Sequence, residues 1–221
     1  MKQALVIGSS GGIGAAIVEN LRGQGVRVTG LSRRQHGLDI TDEASVAMHL
    51  GALSGPFDLI FVATGALHGA GQPPEKSIKA LTATAMADQF AVNCIGPALV
   101  MKHALPLLPR QGRAVFVALS ARVGSIGDNA LGGWISYRSA KAALNQVIHT
   151  GAIEMGRSHK GVICAALHPG TVATSFTENY AARHKTVPAA EAAQNLLRVV
   201  EGLSREDSGG FFDWQGKRVV W

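Results

Sequence analysis

The stretch Ala4-Leu5-Val6-Ile7-Gly8-Ser9-Ser10-Gly11-Gly12-Ile13-Gly14 runs from an apolar segment straight into four glycines among seven residues. The apolar run predicts a buried β-strand, and apolar residues at helical spacing predict a helix over 13–22. Glycine weakens both kinds of element because it loses the most backbone freedom on folding. Such a cluster therefore indicates that something must approach the backbone closely.

A glycine-rich turn between a first strand and a first helix is typical of a phosphate site. The helix N-terminus offers free N–H groups and a partial positive charge, and glycines allow a pyrophosphate to come near. The spacing is G-x-x-x-G-x-G through Gly8, Gly12 and Gly14, which differs from the more familiar G-x-G-x-x-G. We interpret the turn as a dinucleotide site. A merely flexible turn is the alternative that the spacing leaves open.

The composition is that of one globular domain, which we place at residues 1–221. Of the 221 residues, 47% are hydrophobic and 16% are charged, which argues against disorder. The net charge is +6, but the basic residues are scattered, and no basic stripe alternates with aromatic residues. We therefore expect no nucleic-acid partner, because an anionic small ligand accounts for the excess charge as well.

Other features of the composition favour a cytoplasmic protein without metal. Cys94 and Cys164 lie in apolar contexts, as expected of buried thiols in a reducing compartment. The His and Cys residues show no metal-ligand spacing. No apolar run has the length of a membrane span, and the N-terminal run is too short for a signal peptide. We expect no membrane partner.

Strand-like and helix-like segments alternate along the chain, which predicts an α/β fold. The predicted strands are 4–7, 26–31, 38–40, 57–62, 114–119, 162–167 and 211–214. The predicted helices are 13–22, 42–50, 82–108 with an interruption at Gly96-Pro97, 134–155 and 188–201. Continuous apolar strands separated by helices indicate a parallel sheet covered on both faces. We predict a Rossmann-type doubly wound, mainly parallel seven-stranded sheet, with the polar stretch 120–133 as an active-site loop.

The end of the second predicted strand bears on the choice of coenzyme. It reads Leu31-Ser32-Arg33-Arg34, and no acidic residue occurs between 26 and 34. An acid there would bind the ribose hydroxyls of NAD, whereas an arginine suits the 2′-phosphate of NADP. The sequence therefore favours NADP(H), with NAD(H) as the alternative coenzyme. A solvated Arg pair without a ligand is the structural alternative.

Tyr137 and Lys141 are four residues apart on a predicted helix, so both lie on one face, one turn apart. A nearby ammonium favours a phenolate and lowers the pKa of the phenol from its ordinary value of about 10. We expect Tyr137 to act as a general acid or base toward a carbonyl or alcohol oxygen. Because such pairs are often structural, the weight of this one depends on the motifs around it.

Taken in order, the motifs resemble those of the short-chain dehydrogenase/reductase family over nearly the whole chain. They are G-S-S-G-G-I-G at 8–14, L-D-I at 38–40, V-N at 92–93, L-S at 119–120, Y-R-S-A-K at 137–141 and H-P-G-T-V-A-T at 168–174. The short length, the G-G-W before the tyrosine and the ending G-G-F-F-D-W are similar to the C-factor-like branch of that family.

The resemblance implies four catalytic residues and a cofactor-binding set. Ser120 would bind the substrate oxygen, Tyr137 would transfer the proton, and Lys141 would hold the nicotinamide ribose. Asn93 would support a proton-relay water, and Asp39 would bind the adenine amino group. The cofactor-binding set is Gly8, Ser10, Gly12, Ile13, Gly14, Ser32, Arg33, Asp39, Ile40, Gly65, Asn93, Tyr137, Lys141, Pro169, Gly170, Val172 and Thr174.

Two departures from the family pattern bear on the site. Where the family usually has N-N-A-G after its fourth strand, this chain has Val62-Ala63-Thr64-Gly65. We expect altered packing there, with binding retained. Ser120 lies further before Tyr137 than is usual, and Ser125 fits the usual spacing. We favour Ser120 because it directly follows the strand, and Ser125 stays the alternative.

The activity implied by the resemblance is hydride transfer between NADP(H) and a small carbonyl or alcohol substrate. The alternatives are an epimerase or dehydratase on the same scaffold, and a nucleotide-sensing regulator or signalling protein with little catalysis. The family commonly pairs its long helices, so 82–108 and 134–155 suggest a homodimer or homotetramer. Residues 175–187 would form a short lid, whose basic residues suggest a polar or anionic substrate.

Overall fold

Parallel strands form the centre of the protein, which we describe from a computed structural model of residues 1–69, 71–174 and 186–221. The strands are β1 (Gln3–Ile7), β2 (Arg27–Leu31), β3 (Leu59–Val62), β4 (Ala114–Leu119), β5 (Val162–His168), β6 (Val172–Ala173), β7 (Val187–Pro188) and β8 (Phe211–Asp213). The main sheet has the order β2-β1-β3-β4-β5-β8, and each of its ladders is parallel. A separate parallel pair joins β6 to β7.

Helices cover both faces of this sheet. They are α1 (Gly12–Gly23), α2 (Arg33–His36), α3 (Glu43–Gly51), α4 (Ala83–Phe90), α5 (Gly96–Ala104), α6 (Ile135–Ser158) and α7 (Ala189–Gly202). Helices α1 and α7 pack together on one face, and α3, α5 and α6 contribute to the core on the other. The predicted doubly wound α/β fold is confirmed.

Alternating side chains of the central strands build the two cores. In β1, Leu5 and Ile7 enter the core shared with α3, α5 and α6, whereas Ala4 and Val6 enter the core shared with α1 and α7. All four side chains are fully buried. A strand buried on both faces is apolar at every position, which is why the sequence identified the central strands.

The main sheet has six strands in the described parts of the chain, not the seven that we predicted. The segment 38–40 joins no ladder there. Leu38 and Ile40 are buried in the core that contains α3, but Asp39 accepts hydrogen bonds from Thr41 and the backbone turns. Strand β2 is therefore an edge strand, and a short segment, 32–42, joins it to α3.

The helical region predicted at 82–108 is interrupted earlier than its Gly-Pro pair suggested. Residues Ala91–Ile95 form one turn of π-helix between α4 and α5. This turn contains Asn93, one of the predicted catalytic residues, and π-turns are frequent at functional sites.

By length and apolar composition alone, the run Ala83–Leu107 matches a membrane-spanning helix, contrary to our expectation that no run does. In the fold, α5 packs against α3, α6 and β3, and its Val100 and Ala104 are fully buried. The core helix of a globular domain satisfies the same criteria.

Candidate active site

The turn after β1 has glycines at positions where neighbouring atoms leave no room for a side chain. Gly8 has a left-handed φ of +87°, a conformation that favours glycine. The N–H groups of Gly8 and Ser9 donate to the Leu31 carbonyl at the end of β2, at 2.8 and 3.1 Å. A Cβ on Gly14 would collide with the Gly8 carbonyl oxygen. The turn thus brings the ends of β1 and β2 and the start of α1 together.

The N-terminus of α1 is open toward this turn. Its N-cap is Gly11, which has no capping side chain, and its first turn contains no acidic residue. The first N–H groups of a helix have no intrahelical acceptor and, with the helix dipole, attract an anion. Ser10 and Ile13 are half-buried beside them, and a Cβ on Gly12 would collide with Thr174. This cradle fits a pyrophosphate.

Three buried side-chain atoms near the carboxyl edge of the sheet have no hydrogen-bond partner among the described residues. They are Ser9 Oγ, Thr64 Oγ1 and His168 Nδ1, which follow or end β1, β3 and β5. An unpaired buried polar group costs about 1–3 kcal/mol, so such groups are rare in folded proteins. Dinucleotides bind at this edge of doubly wound sheets, so these atoms and the glycine turn together fit such a ligand.

The end of β2 places Arg33 near the glycine turn. Ser32 is buried and caps α2, with its hydroxyl oxygen accepting the N–H of Gln35. Arg33 is exposed at the first position of α2, two residues after Leu31. Since the Leu31 carbonyl is bonded to the turn itself, Arg33 lies at the same edge of the sheet.

Asp39 and Ile40 follow in the turn before α3. Asp39 Oδ1 accepts the hydroxyl and the N–H of Thr41, at 2.7 and 2.9 Å. These hydrogen bonds, together with the charge of Arg33, hold the pKa of Asp39 below its ordinary value. Ile40 is buried against Gly96, where a Cβ would collide with the isoleucine side chain. An ionised Asp39 is able to accept a hydrogen bond from an adenine amino group.

Asn93 holds the segment that follows β3. From the π-turn, its side chain accepts the N–H of Ala66 and donates to the Ala66 carbonyl, at 3.1 and 2.7 Å. It also donates to Gln89, which donates in turn to the Leu67 carbonyl. Gly65 is exposed next to these contacts. Asn93 therefore holds Ala66, which directly follows the stretch that departs from the family pattern, and its part in a proton relay stays a prediction.

Helix α6 brings Tyr137, Lys141 and Asn145 onto one face at successive turns. Lys141 is 2% exposed, and its Nζ donates to the Leu119 carbonyl at 2.8 Å. The next residue, Ser120, donates its hydroxyl to Asn145 Oδ1 at 2.6 Å. The predicted Ser120 and Lys141 thus meet at the end of β4, together with Asn145, which the sequence interpretation missed.

Burial determines the ionisation of the Tyr-Lys pair. It raises the pKa of Tyr137 well above its usual value and lowers the pKa of Lys141 to about 7. The Lys141 Nζ lies 5.9 Å from the centroid of the tyrosine ring. The expected lowering of the phenol pKa is therefore not found in this geometry, because burial disfavours the charged forms of both side chains.

The loop 120–134 is stabilised by hydrogen bonds of its own. Ser125 is buried, and its hydroxyl oxygen accepts the N–H of Asp128 at 3.1 Å. Arg138 donates to two carbonyls of the loop, at 2.9 and 3.3 Å. Ser125 thus takes part in a turn of the loop, whereas Ser120 lies at the strand end beside the contact of Lys141.

The segment after β5 passes close to the glycine turn. Pro169 and Gly170 are half-buried, and a Cβ on Gly170 would lie 3.1 Å from the Trp214 ring. Val172 is buried in β6, and Thr174 lies against the first turn of α1. Of the cofactor residues predicted in this segment, Thr174 is therefore brought next to the glycine turn.

The predicted lid, 175–187, lies outside the described residues as far as 185. Within the described ranges, no group of three or more His, Cys, Asp or Glu side chains could hold a metal ion.

A buried carboxylate that the sequence interpretation missed lies at the N-terminus of α6. Glu75 is 7% exposed and accepts hydrogen bonds from the N–H and the hydroxyl of Ser136. Together with Pro73-Pro74 and Tyr137, both residues line a small cavity. In the sequence, Glu75 is only an acidic residue after two prolines. That pattern does not reveal a partner 61 positions further along the chain.

Comparison with known proteins shows similarity along most of the chain. A family model described as enoyl-(acyl carrier protein) reductase matches residues 7–204. The C-signal of Myxococcus xanthus is 39% identical over 137 residues, which cover 62% of this chain and 78% of that protein. The 1-hydroxy-2-glutathionyl-2-methyl-3-butene dehydrogenase of Rhodococcus sp. (strain AD45) is 30% identical over an alignment of 237 positions, which covers 100% of both chains.

The structure is similar to that of the NADPH-bound carbonyl reductase from chicken fatty liver. The TM-score is 0.85 at 26% identity, over 100% of this chain and 94% of the other. The described residues thus have the fold of a reductase whose structure contains NADPH.

Proposed function

This chain belongs to the short-chain dehydrogenase/reductase family of oxidoreductases, and we propose that it interconverts a small carbonyl compound and its alcohol with NADP(H) as coenzyme. The observation that carries the proposal is the meeting of two features at one edge of the sheet. The glycine turn fits a pyrophosphate, and the buried Tyr137 and Lys141 lie on α6, with Lys141 bonded to the end of β4. A nucleotide sensor needs only the first feature, so the second favours an enzyme.

The end of β2 supports NADP(H) over NAD(H). Arg33 is exposed there, and no acid between 26 and 34 is present to accept hydrogen bonds from ribose hydroxyls. A guanidinium binds a phosphate through charge-assisted hydrogen bonds. The NADPH in the chicken carbonyl reductase structure supports the same choice.

Two hydroxyl groups of the site act directly on the substrate oxygen in the proposed reduction. NADP(H), when bound, supplies the hydride that the carbonyl carbon receives. The hydroxyl groups of Ser120 and Tyr137 would stabilise the negative charge that grows on the carbonyl oxygen, and Tyr137 would donate its proton to that oxygen. Burial raises the pKa of Tyr137 and so keeps the phenol protonated, which is the form that a proton donor in the reduction requires.

Ser120 has to rearrange before it can act in this way. A hydroxyl has one proton to donate, and that of Ser120 is donated to Asn145. Rotation about the Cβ–Oγ bond would redirect the O–H toward a substrate oxygen. Asn145 is therefore the group that holds Ser120 in its present orientation.

Initial rates with a panel of small aldehydes and ketones test the proposal, with the absorbance of NADPH as the readout. We expect turnover of at least one carbonyl compound by the wild type, and a loss in kcat of about 100-fold or more in Tyr137→Phe. NADPH affinity should change by less than about twofold, since the ring remains. Ser120→Ala should lose at least about tenfold in kcat, and the matched control Ser125→Ala less than about threefold. Full activity of Tyr137→Phe would contradict the proposed role.

Calorimetric titration with NADPH and NADH tests the coenzyme. We expect NADPH to bind at least about tenfold tighter, which corresponds to roughly 1.4 kcal/mol. Arg33→Ala should remove most of that difference, and Arg34→Ala should retain it. Equal affinities in the wild type would refute the preference for NADP(H). If the wild type binds neither nucleotide, the proposal that it is an NADP(H)-dependent enzyme is wrong.

A further inference from the structure

Helix α6 begins without a capping side chain of its own. Its N-cap residue, Trp134, is in the left-handed conformation with a φ of 53° and makes no side-chain cap hydrogen bond. The first N–H groups of a helix have no intrahelical acceptor, so their partners must come from elsewhere. Glu75 supplies them from a distant segment. Its carboxylate accepts the N–H of Ser136 at 3.4 Å and also the Ser136 hydroxyl, and its carbonyl accepts the N–H of Trp134 at 2.6 Å.

Burial, the helix dipole and two prolines stabilise the contact between Glu75 and Ser136. Glu75 is 7% exposed and Ser136 is 1% exposed, so the hydrogen bonds are shielded from water. A buried carboxylate is stable only when it is paired, and here it also lies at the positive end of the α6 dipole. Pro73-Pro74 restrict the backbone that leads into Glu75.

Tyr137 directly follows the residue that Glu75 holds. Its ring meets the Trp134 ring edge to face, with centroids 6.3 Å apart. Any rotation of the first turn of α6 would therefore move the phenol and the indole together. Since a misplacement of about 1 Å can reduce a rate about 100-fold, the fixed turn matters for proton transfer.

We propose that Glu75 is a positioning residue for Tyr137, a role that rests on the proposed function of that tyrosine as proton donor. Its carboxylate holds the first turn of α6 from outside the helix and thereby fixes the place of the phenol. Both of its carboxylate oxygens bond to Ser136, so it acts on the reaction through the helix.

Hydrogen–deuterium exchange tests whether the contact holds the turn, independently of catalysis. In Glu75→Ala, we expect amide exchange in the peptide that covers 134–138 to be at least about tenfold faster than in the wild type. The matched control is Glu154→Gln, which changes an exposed carboxylate on the same helix and should leave that exchange unchanged. The near-ultraviolet circular dichroism of the Trp134–Tyr137 pair, defined by the difference between wild type and Tyr137→Phe, should decrease in Glu75→Ala. Unchanged exchange or an unchanged aromatic signal would overturn the proposal.

Steady-state kinetics separate positioning from mere stability. We expect kcat of Glu75→Ala to fall at least about tenfold while KM for NADPH stays within about twofold. Faster exchange with kcat within twofold of the wild type would show a structural role only and would overturn the proposal. Should Glu75→Ala fail to fold, Ser136→Ala removes the hydroxyl contact alone, and about a threefold loss in kcat is then expected. If the wild type turns over no carbonyl compound, the proposed function fails, while exchange and circular dichroism still decide whether Glu75 fixes Tyr137.

Discussion

Lys141 shows how burial changes the chemistry of a single side chain. Its ammonium donates to the Leu119 carbonyl inside the protein, and desolvation lowers its pKa to about 7. A lysine in water keeps its proton to a pH of about 10. Near neutral pH, therefore, this side chain is close to the midpoint of its own titration.

That pKa has a consequence for stability. Since the pKa of Lys141 falls from 10.5 to about 7 on folding, the unfolded chain binds more protons between these values, and stability rises with pH there. The unfavourable contribution is fully present below pH 7 and fades as the pH approaches 10.5. Relative to Lys141→Met, the wild type should gain about 2 kcal/mol in free energy of unfolding between pH 7 and pH 9 in denaturant titrations. A difference that is independent of pH would contradict the lowered pKa.

Residue spacing placed together side chains that are close in the chain, but it did not reveal which distant segments they contact. Tyr137 and Lys141 share a helix face, so their spacing alone placed them together. Asn145 lies on the same face, but its contact with Ser120 depends on how α6 packs against the end of β4. Glu75 reaches α6 only through the fold, and no periodicity in the sequence indicates that pairing.

At the scale of the element, two of the three glycines of α1, Gly14 and Gly23, have opposite surroundings. A Cβ on Gly14 would collide with the backbone of Gly8, so the absence of a side chain allows the helix to approach the turn. A Cβ on Gly23, at the other end of the helix, would meet nothing within 4 Å. Packing requires glycine at position 14, whereas Gly23 only reduces the stability of the helix.

These two positions form a matched pair of substitutions. Gly14→Ala should lower the free energy of unfolding by about 1–3 kcal/mol through overpacking, and should weaken NADPH binding because the turn shifts. Gly23→Ala should raise that free energy by about 0.5–1 kcal/mol, since alanine loses less backbone entropy on folding. Chemical denaturation and calorimetry measure both effects. Equal changes in stability at the two sites would refute the assigned packing.

Elements with a clear pattern of apolar residues were predicted well, whereas short elements were not. The central strands are apolar at each position, and α1, α6 and α7 start and end within a few residues of the prediction. Leu38 and Ile40 resemble a strand because both are buried, but burial alone does not provide a ladder partner. The π-turn at Ala91–Ile95 differs from an α-helix only in its hydrogen-bond register, which residue types do not reveal.

At the scale of the whole molecule, two exposed isoleucines suggest how copies of the chain associate. Ile95 in the π-turn is 49% exposed, and Ile153 on α6 is 54% exposed. Both belong to the helical regions that we expect to pair in a homodimer or homotetramer. Isologous pairing would remove such apolar side chains from water.

Sedimentation equilibrium tests this association. We expect a mass of at least twice the 23.0 kDa of one chain for the wild type. Ile153→Glu should shift the distribution toward the monomer, because a charge would be buried at the interface. The control Met48→Glu changes an exposed apolar residue on α3 and should leave the mass unchanged. A monomeric wild type would contradict the expectation.

The position of β2 at the edge of the sheet also bears on how the choice of coenzyme can change during evolution. Arg33, Asp39 and the cap of α2 all lie in one contiguous segment, 32–42, which pairs with no neighbouring strand. Replacements at its exposed positions break no hydrogen bond of the sheet ladders. We therefore expect the proposed preference for NADP(H) to change through replacements at exposed positions of this segment, such as Arg33, while the buried Leu38 and Ile40 are kept.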